Sequence, residues 1–417
     1  MKSKLWNRNF ILAVVGMVIS AAGDVGLTVA LGVVVFQQTG STMLTAVFGA
    51  LSIIPRIILP LIIGPIVDRR NPLKVLVRNE IILAILFFAT AIITIFWGFN
   101  YTLYLVFSLL LSCFGVISQI ASSSVIPQIM EKEHYMRGYA VINVIYPLCS
   151  VLFSPVALFL FDKFGMPIIL IAYGITTLID AALESRIKVD FAFIKAKKTS
   201  IKEYGQDLAS AFRYLREDKA ILAVYFAFTL IMLSDCSTSV LMYPYFNTNP
   251  LLTNDHYALM LSIRSAGYLV GGLLHYVIKI PDNKRFMIAI FVYFCFILLE
   301  GPLYLMPFGF LCATRFILGI LGMNSANIRS SSIQARVPAT QRAKVNALFS
   351  IMTSAATFVG GLLVGALGEV FPYWTIQIGF QGFYLVAILF LILPKRFGVK
   401  KLYNFVTAKP EANSVTA

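Results

Sequence analysis

Among the ionisable side chains inside long apolar runs of this 417-residue sequence, where a charge has a reason to be, nine are candidates for chemistry. Asp24, Arg56, Asp235, Arg264, Glu300 and Arg315 lie towards the middle of their runs, and Asp180, Glu184 and Arg329 lie nearer the ends. A carboxylate at the position of Asp24 can take up and release a proton as its access to water changes, which is the chemistry of proton coupling. It can equally stay ionised as the partner of Arg56. Asp235 has the same two readings against Arg264. The two arginines could bind an anionic group by bidentate hydrogen bonds, but neutralising the aspartates is the reading favoured here. Glu300 is expected at one membrane interface, and Asp180 and Glu184 at the other.

Uncharged polar residues in the same runs, Gln119, Asn143, Asn324 and Asn327, are candidates for lining a cavity; their commoner role is to hydrogen-bond neighbouring helices. Enzymatic chemistry finds no footing. His134, His256 and His275 are far apart and lack metal-ligand spacing, and no G-x-x-x-x-G-K-[ST] phosphate loop occurs. The five cysteines all sit in apolar runs without C-x-x-C spacing and read as small buried hydrophobes. No cofactor or metal is expected.

The elements that must position these groups are membrane helices. Hydrophobic residues make up 59% of the chain and charged residues 13%, with a mean hydropathy of +0.83, well beyond soluble composition. At about 20 apolar residues per crossing, the spans fall at 10–36, 44–66, 77–97, 103–126, 138–161 and 166–185, then at 220–246, 257–279, 286–306, 308–331, 343–368 and 373–394. The fold class expected is therefore all-α and integral to the membrane, with twelve helices in two six-helix bundles. Residues 1–185 form the first bundle, 186–219 a linker, 220–394 the second bundle and 395–417 a tail. The first run is too long for a signal-peptide core and is read as an uncleaved helix.

The net charge of +15 comes from where the bases sit. Lys2, Lys4 and Arg8, then Arg69, Arg70, Lys74 and Arg78, then the linker and the tail, all fall on one side; the opposite loops hold only Lys163. By the positive-inside rule both termini are cytoplasmic, and no nucleic-acid partner is needed to explain the charge. Within the linker, Leu208, Phe212 and Leu215 have helical spacing and suggest a helix along the inner membrane face.

The halves carry a weak internal repeat. Leu51-Ser-Ile followed by Arg56 and Gly64 matches Leu261-Ser-Ile-Arg264 followed by Gly272, and Asp24 matches Asp235. Ser122 to Ser124 match Ser330 to Ser332, and Arg137 with Pro155 matches Arg342 with Gly360.

The loop Gly64-Pro-Ile-Val-Asp68-Arg69-Arg70-Asn71-Pro72-Leu73-Lys74 joins the second and third spans. Gly64 allows close approach, and Pro72 is read as stopping the helix. This G-x-x-x-D-R turn resembles the loop after the second helix of major facilitator transporters. Together with Ser20-Ala-Ala-Gly23-Asp24, Thr39-Gly40-Ser41 and Pro55, it resembles their drug:proton antiporter branch, which includes macrolide-efflux and enterobactin-export proteins. The resemblance implies a central cavity, alternating access and a monomer in a bacterial inner membrane. It also implies a switch in which Asp68 meets the region of Arg342 and Lys344. The sequence departs from the pattern at Asn71 to Leu73, and at Ser154-Pro155, where the branch has Gly-Pro. The function expected is proton-coupled efflux of a small amphipathic organic compound. An uncoupled or importing facilitator, lipid-like substrates included, and a non-transporting receptor remain alternatives.

Overall fold

The computed structural model describes residues 5–67, 71–189, 201–277 and 281–404. The chain folds as α1 (Arg8–Thr39), α2 (Thr42–Leu51), α3 (Ile53–Val67), α4 (Pro72–Trp97), α5 (Tyr101–Val125), α6 (Tyr135–Phe164) and α7 (Met166–Glu184). Then follow α8 (Ile201–Glu217), α9 (Lys219–Thr248), α10 (Asn254–Val277), α11 (Arg285–Glu300), α12 (Phe308–Arg336), α13 (Ala339–Gly368), α14 (Tyr373–Val386) and α15 (Val399–Tyr403). Among the described residues, eleven helices are long and apolar enough to cross a membrane. With the shorter α11, and with α2 and α3 counted as one pass, the fold is all-α and multi-pass.

Three departures from the expected spans have local causes. The second span breaks at Ser52 because Pro55 has no N–H to give the carbonyl of Leu51. The Ser112 hydroxyl of α5 donates to the Ser52 carbonyl at 2.5 Å and steadies the break. The ninth span stops at Glu300, where Gly301-Pro302 turns the chain into a short 3₁₀ helix, Leu303–Leu305. Pro72 does not end a helix. It occupies the first turn of α4, which Asn71 caps by accepting the Lys74 N–H at 3.1 Å.

α1, α4, α5, α6 and α7 pack together with α2 and α3, and α9 to α14 form the second bundle. The apolar side of α8 buries Ala211 and Leu215 in the core of the second bundle. The bundles meet chiefly through α2 with α13 and α6 with α10. The outward faces carry exposed Ile85, Ile92, Phe96, Phe291 and Phe310, as lipid contact requires.

Polar contacts between bundles gather at the end opposite the chain termini and at mid-depth. Asn254 donates to Asp162 at 2.7 Å, and the hydroxyls of Ser150 and Ser265 meet at 2.9 Å. Gly40, in the left-handed region at φ 63°, closes α1 and lets Ser41 begin α2 directly. That turn presents Ser41, Thr42 and Met43 to Glu369 of the other bundle.

Candidate functional site

A cavity of about 720 Å³ lies between the bundles. The first bundle supplies its polar wall: Asp24 from α1, Arg56 from α3, Glu80 from α4, Gln119 from α5 and Tyr173 from α7. The second bundle supplies small groups, among them Cys236, Ser239, Thr357 and Gly361. The cavity is therefore chemically lopsided, with its titratable groups on one side.

Asp24 accepts from the Tyr173 hydroxyl at 3.3 Å. Arg56 and Tyr146 act on its charge from nearby, but Asp24 and Arg56 form no contact ion pair among the described residues. Glu80, buried at 7% exposure, accepts from the Ser118 hydroxyl at 2.6 Å. Asn79 in turn donates to Ser118 at 2.7 Å and to the Phe114 carbonyl at 3.0 Å, fixing the hydroxyl in place. Asp180 and Glu184 are buried near the end of α7, and the Asp180 carboxylate lies against Gly16.

The second bundle sorts its charges differently. Arg315 donates to Glu300 at 2.8 Å, both fully enclosed, and Gln381 donates to the other Glu300 oxygen at 3.4 Å. Glu300 thus points into the bundle, not to the interface. Burial explains the arrangement, since an enclosed carboxylate needs each oxygen satisfied. Arg264 donates to the Tyr268 hydroxyl at 3.3 Å, and no contact ion pair joins it to Asp235 among the described residues. Both line a second, smaller cavity inside this bundle.

The polar candidates divide. Gln119 lines the central cavity. Asn324 donates to the Ile320 carbonyl at 2.9 Å and the Gly271 carbonyl at 3.4 Å, tying α12 to α10. Asn143 and Asn327 line neither cavity. Of the switch loop, Asp68, Arg69 and Arg70 lie outside the described residues, and Gly64 is described only as part of α3. Lys74 lines a groove at the terminal end with Arg78 and Lys188. Arg342 donates to the Val337 carbonyl at 3.0 Å, closing the turn between α12 and α13.

Sequence reasoning missed Glu80, Tyr173 and Glu369. Glu80 was visible as an acid four positions into an expected span, but only packing shows that it faces the cavity. Glu369 sits in a loop, where an acid carries no signal.

The sequence model of the Major Facilitator Superfamily matches residues 13–249. The chain belongs to this superfamily. No curated protein sequence matches it. Solved superfamily-like structures resemble it over nearly the whole length. The nucleoside transporter NupG superposes with a TM-score of 0.67 at 16% identity, covering 94% of this chain and 98% of that one. A bacterial homologue of the iron transporter ferroportin, in an inward-facing state, gives 0.68 at 14% identity, covering 96% and 99%. A bacterial homologue of the lysosomal transporter Spinster, inward-facing and unoccupied, gives 0.64 at 12% identity, covering 94% and 96%. Identities this low establish the shared fold. A superfamily member of this fold is a secondary transporter of small molecules and not an enzyme.

Proposed function

We propose that this major facilitator protein couples proton movement to the efflux of a small amphipathic organic compound. It would act as a monomer in the bacterial inner membrane, with both termini cytoplasmic and no nucleic-acid partner. One observation carries the coupling: Asp24 and Glu80 share the cavity wall and are held by hydroxyl groups rather than by contact ion pairs. A carboxylate held this way gains or loses a proton without first separating a cation from it. Its charge can therefore follow solvent access as the bundles rock.

The efflux direction rests on the resemblance of the first 74 residues to the drug:proton antiporter branch. With termini on the cytoplasmic side, the joined end is external, which suits a state that receives substrate from the cytoplasm. Asp235, Arg264 and Arg56 remain candidates for substrate or charge-pair contacts, and the loop from Gly64 to Lys74 with Arg342 for the conformational switch.

The Ser154-Pro155 substitution in α6 favours a second reading, a facilitator without proton coupling. One experiment separates the two. Purified protein in detergent is challenged with a panel of compounds, and proton release is followed in wild type and Asp24→Asn. Release with one compound class that is lost in the variant supports antiport. Binding without release selects the facilitator. A receptor is distinguished in vesicles, where it would bind ligand and move none.

A further inference from the structure

The second bundle encloses its own cavity of about 250 Å³, bounded by α9, α10, α11, α12 and α14 and separate from the one between the bundles. Three arginines line it, Arg264, Arg315 and Arg329, against two carboxylates, Asp235 and Glu300. The lining therefore carries one more cation than anion. Glu300 is fully engaged by Arg315 and Gln381. Asp235 lies on the charge network of Arg264 and Arg315.

Arg329 stands apart from that network. It sits on α12 fourteen residues, or about four turns, beyond Arg315 and on nearly the same face. Its guanidinium lies 3.8 Å from the centre of the Phe228 ring and 5.3 Å from that of Phe349. Aromatic faces stabilise a cation but do not neutralise it. Among the described residues no carboxylate forms a contact ion pair with this half-buried arginine, which lies two turns inside a membrane helix with rings for partners and a cavity at its tip.

The walls around it are largely aromatic. Phe296 and Tyr384 stack with ring centres 6.1 Å apart and planes 11° from parallel, and Phe228, Tyr268 and Tyr293 line the same cavity. Gly322 backs the Phe296 ring: a Cβ there would come to 3.3 Å from that ring and 3.7 Å from Tyr268. A larger side chain at this position would therefore push the Phe296 ring.

We propose that this cavity binds a small aromatic carboxylate, with the carboxylate on Arg329 and the ring against the aromatic walls formed by Phe296 and Tyr268. The planar, multi-donor guanidinium matches a carboxylate, and an aromatic ring suits the apolar and aromatic lining of the cavity. The site goes beyond the proton-coupled reading, because it uses none of the carboxylates of the first bundle.

The test is binding of radiolabelled benzoate to purified full-length protein in detergent at neutral pH. Benzamide and benzylamine serve as competitors, since they keep the ring and remove the negative charge. Saturable benzoate binding that neither competitor displaces is expected. Arg329→Gln should weaken it by roughly tenfold or more, and Arg329→Lys by less, because the charge survives without the fork. Gly322→Leu should abolish it by driving the Phe296 ring into the cavity while the protein stays monodisperse on gel filtration. Absence of saturable binding in wild type, equal displacement by benzamide, or binding unchanged in both Arg329→Gln and Gly322→Leu would each overturn the proposal. No gradient is present in this assay, so its result is independent of whether Asp24 couples transport to protons.

Discussion

Glu369 caps a helix of the opposite bundle: its Oε1 accepts the backbone N–H of Met43, in the first turn of α2, at 2.8 Å. The same oxygen accepts from the Ser41 hydroxyl at 2.6 Å and from Thr42 at 3.2 Å, while Thr42 also donates to the Gly365 carbonyl at 2.7 Å. An acid at a helix N-terminus satisfies donors that the helix itself cannot. Here the cap comes from the far side of the bundle interface, so it forms only when this end is closed.

The cap should be sensitive to acid. The Met43 N–H, then the Ser41 hydroxyl, hold the Glu369 carboxyl below its usual value of 4.5. A carboxylate stabilised in the closed state contributes fully above that value, and its contribution is lost as pH falls through the lower, closed-state pKa. Glu369 is solvent-exposed, so Glu369→Gln should weaken closure by only about 1 kcal/mol. Spin-label distances between residues near 42 and 365 should show a larger open fraction in the variant at neutral pH and in wild type only under strong acid. An unchanged distribution in the variant would rule the cap out as a determinant of closure.

Gly365 should tolerate no side chain. Its Cβ would collide with Ala46 and come within 3.0 Å of the Thr42 carbonyl, between α13 and α2. Gly365→Val should prop this end open and lower transport, whereas Gly379→Ala on α14, with nothing within 4 Å, should be close to wild type. Cysteine cross-linking between α2 and α13 measures the separation directly, and efficient cross-linking in Gly365→Val would refute the expectation.

Removing Glu300 should harm stability more than removing its pair. Glu300→Gln leaves Arg315 enclosed without its carboxylate, a loss of about 3–5 kcal/mol for a broken buried pair. The double change Glu300→Met with Arg315→Leu should recover most of that, because it strands no charge. Thermal unfolding in detergent compares the three proteins. A double variant no more stable than the single one would contradict the account.

Coupling should depend on Asp24 and on Glu80. Asp24→Asn should abolish proton-driven accumulation in vesicles while substrate exchange without a gradient persists. Glu80→Gln should reduce it as well, since both share one cavity wall. Gradient-driven accumulation at wild-type levels in both variants would remove these carboxylates from the mechanism.

Much of this architecture was legible in the sequence because a membrane helix announces itself locally. A run of about 20 apolar residues suffices, and the placement of Asp24, Arg56, Asp235 and Arg264 within such runs follows from counting. Helix ends were less legible. Pro72 could close one helix or open the next, and only the Asn71 cap decides for opening.

Partnership between charges was not legible at all. Asp24 with Arg56, and Asp235 with Arg264, are natural pairs on paper, yet among these helix-borne charges the contact pair found in the described residues is Glu300 with Arg315, joining α11 to α12. The sequence by itself determined a multi-pass helical membrane protein with charges inside its helices and no enzymatic constellation. Tertiary structure decided which of those charges meet, that Glu80 faces the cavity, and that Glu369 caps α2 from 326 residues away. The reason is physical: hydropathy is set within one helix, whereas an ion pair depends on the rotation and depth of two helices packed side by side.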